Sequence, residues 1–110
     1  MKRIIDGLRY DTEAPRTQTI GKATNIGNGA DNEKDFQYWA AGLFVTGGGR
    51  YFLSGIGGPM SPYGHPTGKK SWSMGEKIIP LEKKAAQEWA EKWLPTQIVE
   101  TYFSDITSDI

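Results

Sequence analysis

The sequence predicts an α+β fold, a short antiparallel sheet packed against two C-terminal helices, and three observations predict it. An Asp6-Gly7 pair separates two β-prone runs near the N-terminus. An aromatic-rich stretch from Phe36 to Thr46 reaches Gly47-Gly48-Gly49 and returns as Arg50 to Ser54. Leu81 to Leu94 then repeats apolar residues at helical spacing. The 110 residues suit one domain, read as a single unit over 1–110.

Each element has a local cause. Arg3-Ile4-Ile5 and Leu8-Arg9-Tyr10 flank Asp6-Gly7, a pair that favours a two-residue type I′ hairpin turn, with Gly7 supplying positive φ. Thr17 to Ile26 is a weaker strand, and Gly27-Asn28-Gly29 with the polar run to Asp35 reads as a turn or mobile loop. In the stretch from Phe36, alternation puts Phe36, Tyr38, Ala40, Gly42 and Phe44 on one face and Trp39, Ala41, Leu43 and Val45 on the other. Apolar residues on both faces predict a central strand covered on both sides. Tyr51, Phe52 and Leu53 on the return carry matching bulk for cross-strand pairs. From Gly55 to Gly75, six glycines and three prolines argue against a continued sheet ladder and for a long functional or mobile loop. Lys77-Ile78-Ile79 is a short returning strand before Pro80.

Leu81, Ala85, Trp89 and Trp93 form the helical stripe, widened by Ala86, Ala90 and Leu94, with Glu88 and Lys92 correctly placed for an i,i+4 pair. Pro95 stops this helix, Thr96 is a candidate cap for a second, and Ile98, Val99, Tyr102, Phe103 and Ile106 form the second apolar face.

Composition excludes several kinds of chemistry. Without cysteine there are no disulfides, no thiolate nucleophile and no cysteine-ligated zinc or iron–sulfur cluster. Thirteen basic and thirteen acidic residues cancel, so the whole chain has no general attraction to nucleic acid or membrane. Residues 37–81 nevertheless hold Arg50, Lys69, Lys70 and Lys77 against Glu76, a local +3, and residues 82–110 are −3 from three lysines against six acids. Met1 to Gly7 has no apolar run of the signal-peptide kind, and no stretch approaches the roughly 20 apolar residues of a membrane span. The expected compartment is the cytoplasm, with no membrane partner and no cofactor.

The candidate catalytic and metal sites are weak. His65 is the only histidine and lies between Gly64 and Pro66, and no nucleophile-elbow spacing surrounds Ser61, Ser71 or Ser73. Asp31-x-Glu33-x-Asp35 alternates acids without the glycine and distal glutamate of a calcium loop. Gly55-Ile56-Gly57-Gly58 is followed by prolines rather than by the helix a phosphate cradle needs, and Gly68-Lys69-Lys70-Ser71 lacks the upstream P-loop glycine. Glu88 and Glu91 belong to a solvated helix face, and Trp89 and Trp93 to the core. The expectation is therefore no catalytic residue and no metal ligand. Tyr63, Lys69, Lys70 and Trp72 remain as contact residues, although Trp72 packs back onto the sheet in the plainer reading. Cations beside an aromatic ring also suit single-stranded nucleic acid, the alternative partner.

Ile4-Ile5-Asp6-Gly7-Leu8-Arg9-Tyr10-Asp11-Thr12-Glu13, Tyr51-Phe52-Leu53-x-Gly55-x-Gly57-Gly58-Pro59 and Ser71-Trp72-Ser73-x-Gly75-Glu76-Lys77-Ile78-Ile79-Pro80-Leu81 are distinctive strings. In these, and in the helix with Ala85 and Trp89-Ala90-Glu91, the chain resembles a family of small proteins carried by bacteriophages and mobile elements. The likeness spans most of the chain and departs at residues 14–35 and 65–70. It implies the setting of a mobile element's accessory gene, where several small proteins, anti-CRISPR proteins among them, bind and block a host defence complex. It carries over no catalytic residue. The expected function is non-enzymatic, stoichiometric binding to a host or phage protein complex, with nucleic acid as the alternative.

Overall fold

A computed structural model of the chain describes residues 1–68 and 71–108. Near the N-terminus, β1 (Lys2–Ile5) and β2 (Leu8–Asp11) form the expected hairpin, with Ile5 opposite Leu8. Asp6 and Gly7 both take positive φ, 52° and 77°, which a type I′ turn requires of its two central residues.

The main sheet has four antiparallel strands in the order β3 (Gln18–Thr24), β4 (Trp39–Val45), β5 (Tyr51–Gly57) and β8 (Gly75–Leu81). Between β5 and β8 the chain forms a separate two-stranded ribbon, β6 (His65–Pro66) and β7 (Trp72–Ser73). Two helices follow, α1 (Lys83–Trp93) and α2 (Thr96–Phe103), ending in a 3₁₀ turn over Ser104–Ile106. The α+β class and the C-terminal helices are as the sequence predicts.

Register decides which residues meet. Leu43 pairs with Leu53, which pairs with Ile79, and this row packs against Ala86, Ala90, Leu94, Val99 and Phe103 of the helical layer. Alanines at the centre of α1 let its backbone approach the sheet closely. In β3 a bulge between Thr19 and Gly21 keeps Ile20 in this core while leaving Lys22 and Thr24 exposed. On the opposite face Phe44, Phe52 and Ile78 form a second cluster with Tyr10 of the hairpin. Tyr10 meets Phe52 edge-on at 5.4 Å, and Phe52 stacks on Phe44 at 5.2 Å between ring centroids. The central strand is thus covered on both faces, by helices on one and partly by the hairpin on the other.

Several boundaries differ from expectation. Glycines 55 and 57 continue the ladder, pairing with Ala41 and Trp39 on one side and with Lys77 and Gly75 on the other. A ladder needs only backbone N–H and C=O groups, and a close neighbour here demands the missing side chain. β8 is longer than predicted and runs through Pro80 to Leu81, tolerated because it is an edge strand. Leu81 therefore belongs to the sheet, and Glu82 stands at the start of α1. Pro95, not Thr96, occupies the cap position of α2. Phe36 precedes β4 and is exposed. The ion pair among the described residues joins Lys83 to Asp105, while the Lys92 ammonium lies 5.2 Å above the Trp93 ring rather than on Glu88.

The segment between β3 and β4 is a set of pinned turns. Buried Asn25 donates its side-chain N–H to the Gln37 carbonyl and accepts from the Trp39 N–H, both at 2.8 Å. The Asp35 carboxylate accepts the backbone N–H groups of Gln37 and Asp31, and these bonds hold its pKa below the ordinary value.

Candidate partner-binding surface

Trp39, Gly57 and Gly75 stand in one row, so the start of β4, the end of β5 and the start of β8 share one end of the sheet. The glycine- and proline-rich segment is built on that end, and it divides into two parts with opposite character.

The first part, residues 58–64, is packed. The Gly58 N–H donates to the Tyr38 carbonyl at 2.7 Å and the Met60 N–H to the Phe36 carbonyl at 2.8 Å. The Ser61 hydroxyl donates to the Gly58 carbonyl at 2.8 Å and accepts the Tyr63 N–H at 3.2 Å, which commits it to turn geometry. Tyr63 is 2% exposed and packs with Trp39, and half-buried Trp89 and Trp93 join from α1. Burial pushes the Tyr63 phenol up to about 12. This corrects Tyr63 as a contact residue: its ring fills the space above Gly55, where a β-carbon would lie 2.6 Å from it. It also corrects residues 55–75 as one display loop.

The second part is the separate ribbon of β6 and β7. His65 pairs with Ser73 and Pro66 with Trp72, and the Thr67 N–H donates to the Ser71 carbonyl at 2.9 Å. Neither strand joins the main sheet. The root is tight, since a β-carbon on Gly75 would lie 2.5 Å from the Tyr63 carbonyl oxygen and 2.9 Å from the His65 β-carbon. Trp72 is 55% exposed, so it does not pack back onto the sheet. Lys69 and Lys70 lie outside the described residues. His65 is exposed beside the backbone of Ser73.

Three further exposed apolar side chains lie at the ribbon's end of the sheet. Phe36, Met60 and Met74 are 64%, 66% and 58% exposed. They lie just before β4, just after β5 and just before β8, hence at the same end as Trp72. Sequence reasoning missed all three. Phe36 fell into the apolar alternation of the following strand. Met60 and Met74 carry a usable signal: each is a single large apolar residue among Gly, Pro and Ser, with no periodic partner to bury it.

The basic middle of the chain does not form one described surface. Arg50 follows the turn between β4 and β5, at the far end of the sheet from the ribbon, and Lys77 is half-buried opposite Gly55. Among the described residues, no group of three or more His, Asp or Glu side chains is arranged to hold a metal ion. Among the same described residues, no helix is long and apolar enough to cross a membrane. In comparisons with known proteins, no family model, no curated protein and no solved structure matches the chain.

Proposed function

We propose that the protein is a non-enzymatic binding protein that acts stoichiometrically on a macromolecular partner, through the β6–β7 ribbon and the apolar side chains at its root. The observation that carries this reading is the exposure of Trp72, Met74, Met60 and Phe36 at one end of the sheet. Large exposed apolar side chains gathered at one end of a sheet favour an interaction surface there, and methionine adapts its shape to a partner. The body below the ribbon is packed, so these side chains are presented on a firm base. The resemblance to proteins of phages and mobile elements supplies the setting, and with it a host protein complex, such as a CRISPR-type defence complex, as the partner.

The test compares the wild-type protein with a Trp72→Ala, Met74→Ser variant as bait in lysate from the host cell. A partner identified by mass spectrometry is then measured against both forms by calorimetry. Loss of a central aromatic anchor typically costs 2 kcal/mol or more, about thirtyfold in affinity. Equal affinity for the two forms overturns the assignment of the surface.

A further inference from the structure

The turn that follows β3 holds a covalent weak point, Asn28-Gly29. Gly29 has a φ of 121°, a region that glycine enters freely and L side chains rarely do. The turn therefore demands glycine after Asn28, and no β-carbon shields the Gly29 nitrogen. Both residues are exposed. Hydrogen bonds pin the backbone on either side of this pair. The Asn25 carbonyl accepts the Asn28 and Ala30 N–H groups at 2.9 and 3.1 Å, and the Gly27 N–H donates to the Ala30 carbonyl at 2.8 Å. Among the described residues nothing accepts the Gly29 N–H, and the Asn28 carboxamide has no partner. The other two asparagines differ on each count. Asn25 is buried, precedes Ile26, and has both ends of its carboxamide bonded, to the Gln37 carbonyl and the Trp39 N–H. Asn32 precedes Glu33, and its side-chain oxygen accepts the Lys34 N–H at 2.8 Å.

We infer that Asn28 is a site of spontaneous deamidation, with the Gly29 nitrogen as nucleophile and water as the only co-reactant. The Gly29 nitrogen gives up its proton, attacks Asn28 Cγ and closes a cyclic imide. The bond from Cγ to Nδ2 breaks, and Nδ2 leaves as ammonia with that proton. Water then opens the imide at one of its two carbonyls. Breaking the new bond to Cγ gives aspartate. Breaking the bond to the Asn28 main-chain carbon gives isoaspartate, whose main chain runs through the side-chain methylene. Nothing is oxidised or reduced. Either product adds a negative charge to a chain whose charges otherwise cancel. Isoaspartate also lengthens the main chain inside the turn, which strains the two bonds to the Asn25 carbonyl. The Asn25 side chain holds Gln37 and the start of β4 at Trp39, so the change reaches the edge of the sheet. Asp6-Gly7 has the same order of residue types, but an ionised carboxylate resists attack, and its isomerisation adds no charge.

The experiment ages the full chain in neutral and mildly alkaline buffer at physiological temperature. Ion-exchange chromatography, peptide mass mapping and labelling by a protein isoaspartyl methyltransferase with its methyl donor follow the products. The expected result is a new species with a single added negative charge, formed faster at the higher pH. Its peptide containing residue 28 gains the mass of an NH exchanged for oxygen, and the methyl label maps to that position. Asn28→Gln is expected to form no such species. Asn28→Asp should co-elute with the aspartate product and take no label at that position. The Ala30 amide should exchange with deuterium faster in the isoaspartate form than in Asn28→Asp, whose main chain has the ordinary length. An intact Asn28 after ageing, earlier conversion of Asn25 or Asn32, or the same acidic species from Asn28→Gln overturns the inference. Equal Ala30 exchange in the two forms overturns the effect on the turn.

Discussion

A methyl group at position 55 would lie 2.6 Å from the Tyr63 ring and 2.8 Å from the Ala41 β-carbon. Neither neighbour can retreat: Tyr63 lies against Trp39, and Ala41 is in the central strand. Gly55→Ala is therefore expected to destabilise the protein by about 1–3 kcal/mol, as overpacking does, read as a lower midpoint in denaturant. Tyr63→Ala should lose about 3–5 kcal/mol, the usual range for emptying a buried aromatic site. The Tyr63 phenol also predicts an alkaline limb. Its folded-state pKa is raised by burial from 10.0 to about 12, so the neutral form is favoured in the folded state. The stability linked to it is complete below pH 10 and is lost as pH rises from 10 towards 12. Tyr63→Phe should flatten stability over that window, and unfolding titrations across it provide the check. None of this was legible near Tyr63 itself. Gly, Pro and Ser neighbours describe a turn, and a turn residue is usually exposed. What buries Tyr63 is a glycine in an earlier strand and a tryptophan from the strand before it, a juxtaposition that local pattern does not encode.

Elements built from local signals were the legible ones. The Asp6-Gly7 hairpin, the aromatic strand pair around Gly47-Gly48-Gly49 and the helix of Trp89 and Trp93 follow from turn chemistry and periodicity, and the structure has all three. Their ends moved where tertiary pairing outweighed propensity. Leu81 fits the helical stripe equally well, yet pairing with Tyr51 holds it in β8. Glycines 55 and 57 discourage a strand in isolation, yet the ladder passes through them. Of the four expected contact residues, Trp72 is on the exposed ribbon, Tyr63 is in the core, and Lys69 and Lys70 lie outside the described residues. Trp72 is more than half exposed and belongs to none of the apolar clusters among the described residues, so Trp72→Ala should change unfolding free energy by no more than about 0.5 kcal/mol. Trp39→Ala, in the buried aromatic cluster, should cost about 3–5 kcal/mol. Parallel thermal unfolding of the two variants tests this division between display and core.

At the scale of the whole molecule, both free edges of the main sheet are blunted. β3 carries the bulge and exposed Lys22, and β8 carries Pro80. Such edges resist pairing with another strand, so the binding proposed above falls to side chains rather than to a sheet edge. The hairpin itself rests on the sheet through a few residues, chiefly Tyr10 with Ile5 and Met1, while the helices are joined to the other face by a continuous apolar layer. Such unequal attachment gives the molecule two clocks. Amide protons in β1 and β2 should exchange with deuterium through a local opening of lower free energy, while those in β4 and β5 wait for global unfolding. Tyr10→Ala should quicken the first set tenfold or more, for roughly 1.4 kcal/mol of lost anchorage, and leave the second set less affected. The first strands could then detach and re-dock many times within the lifetime of one folded core.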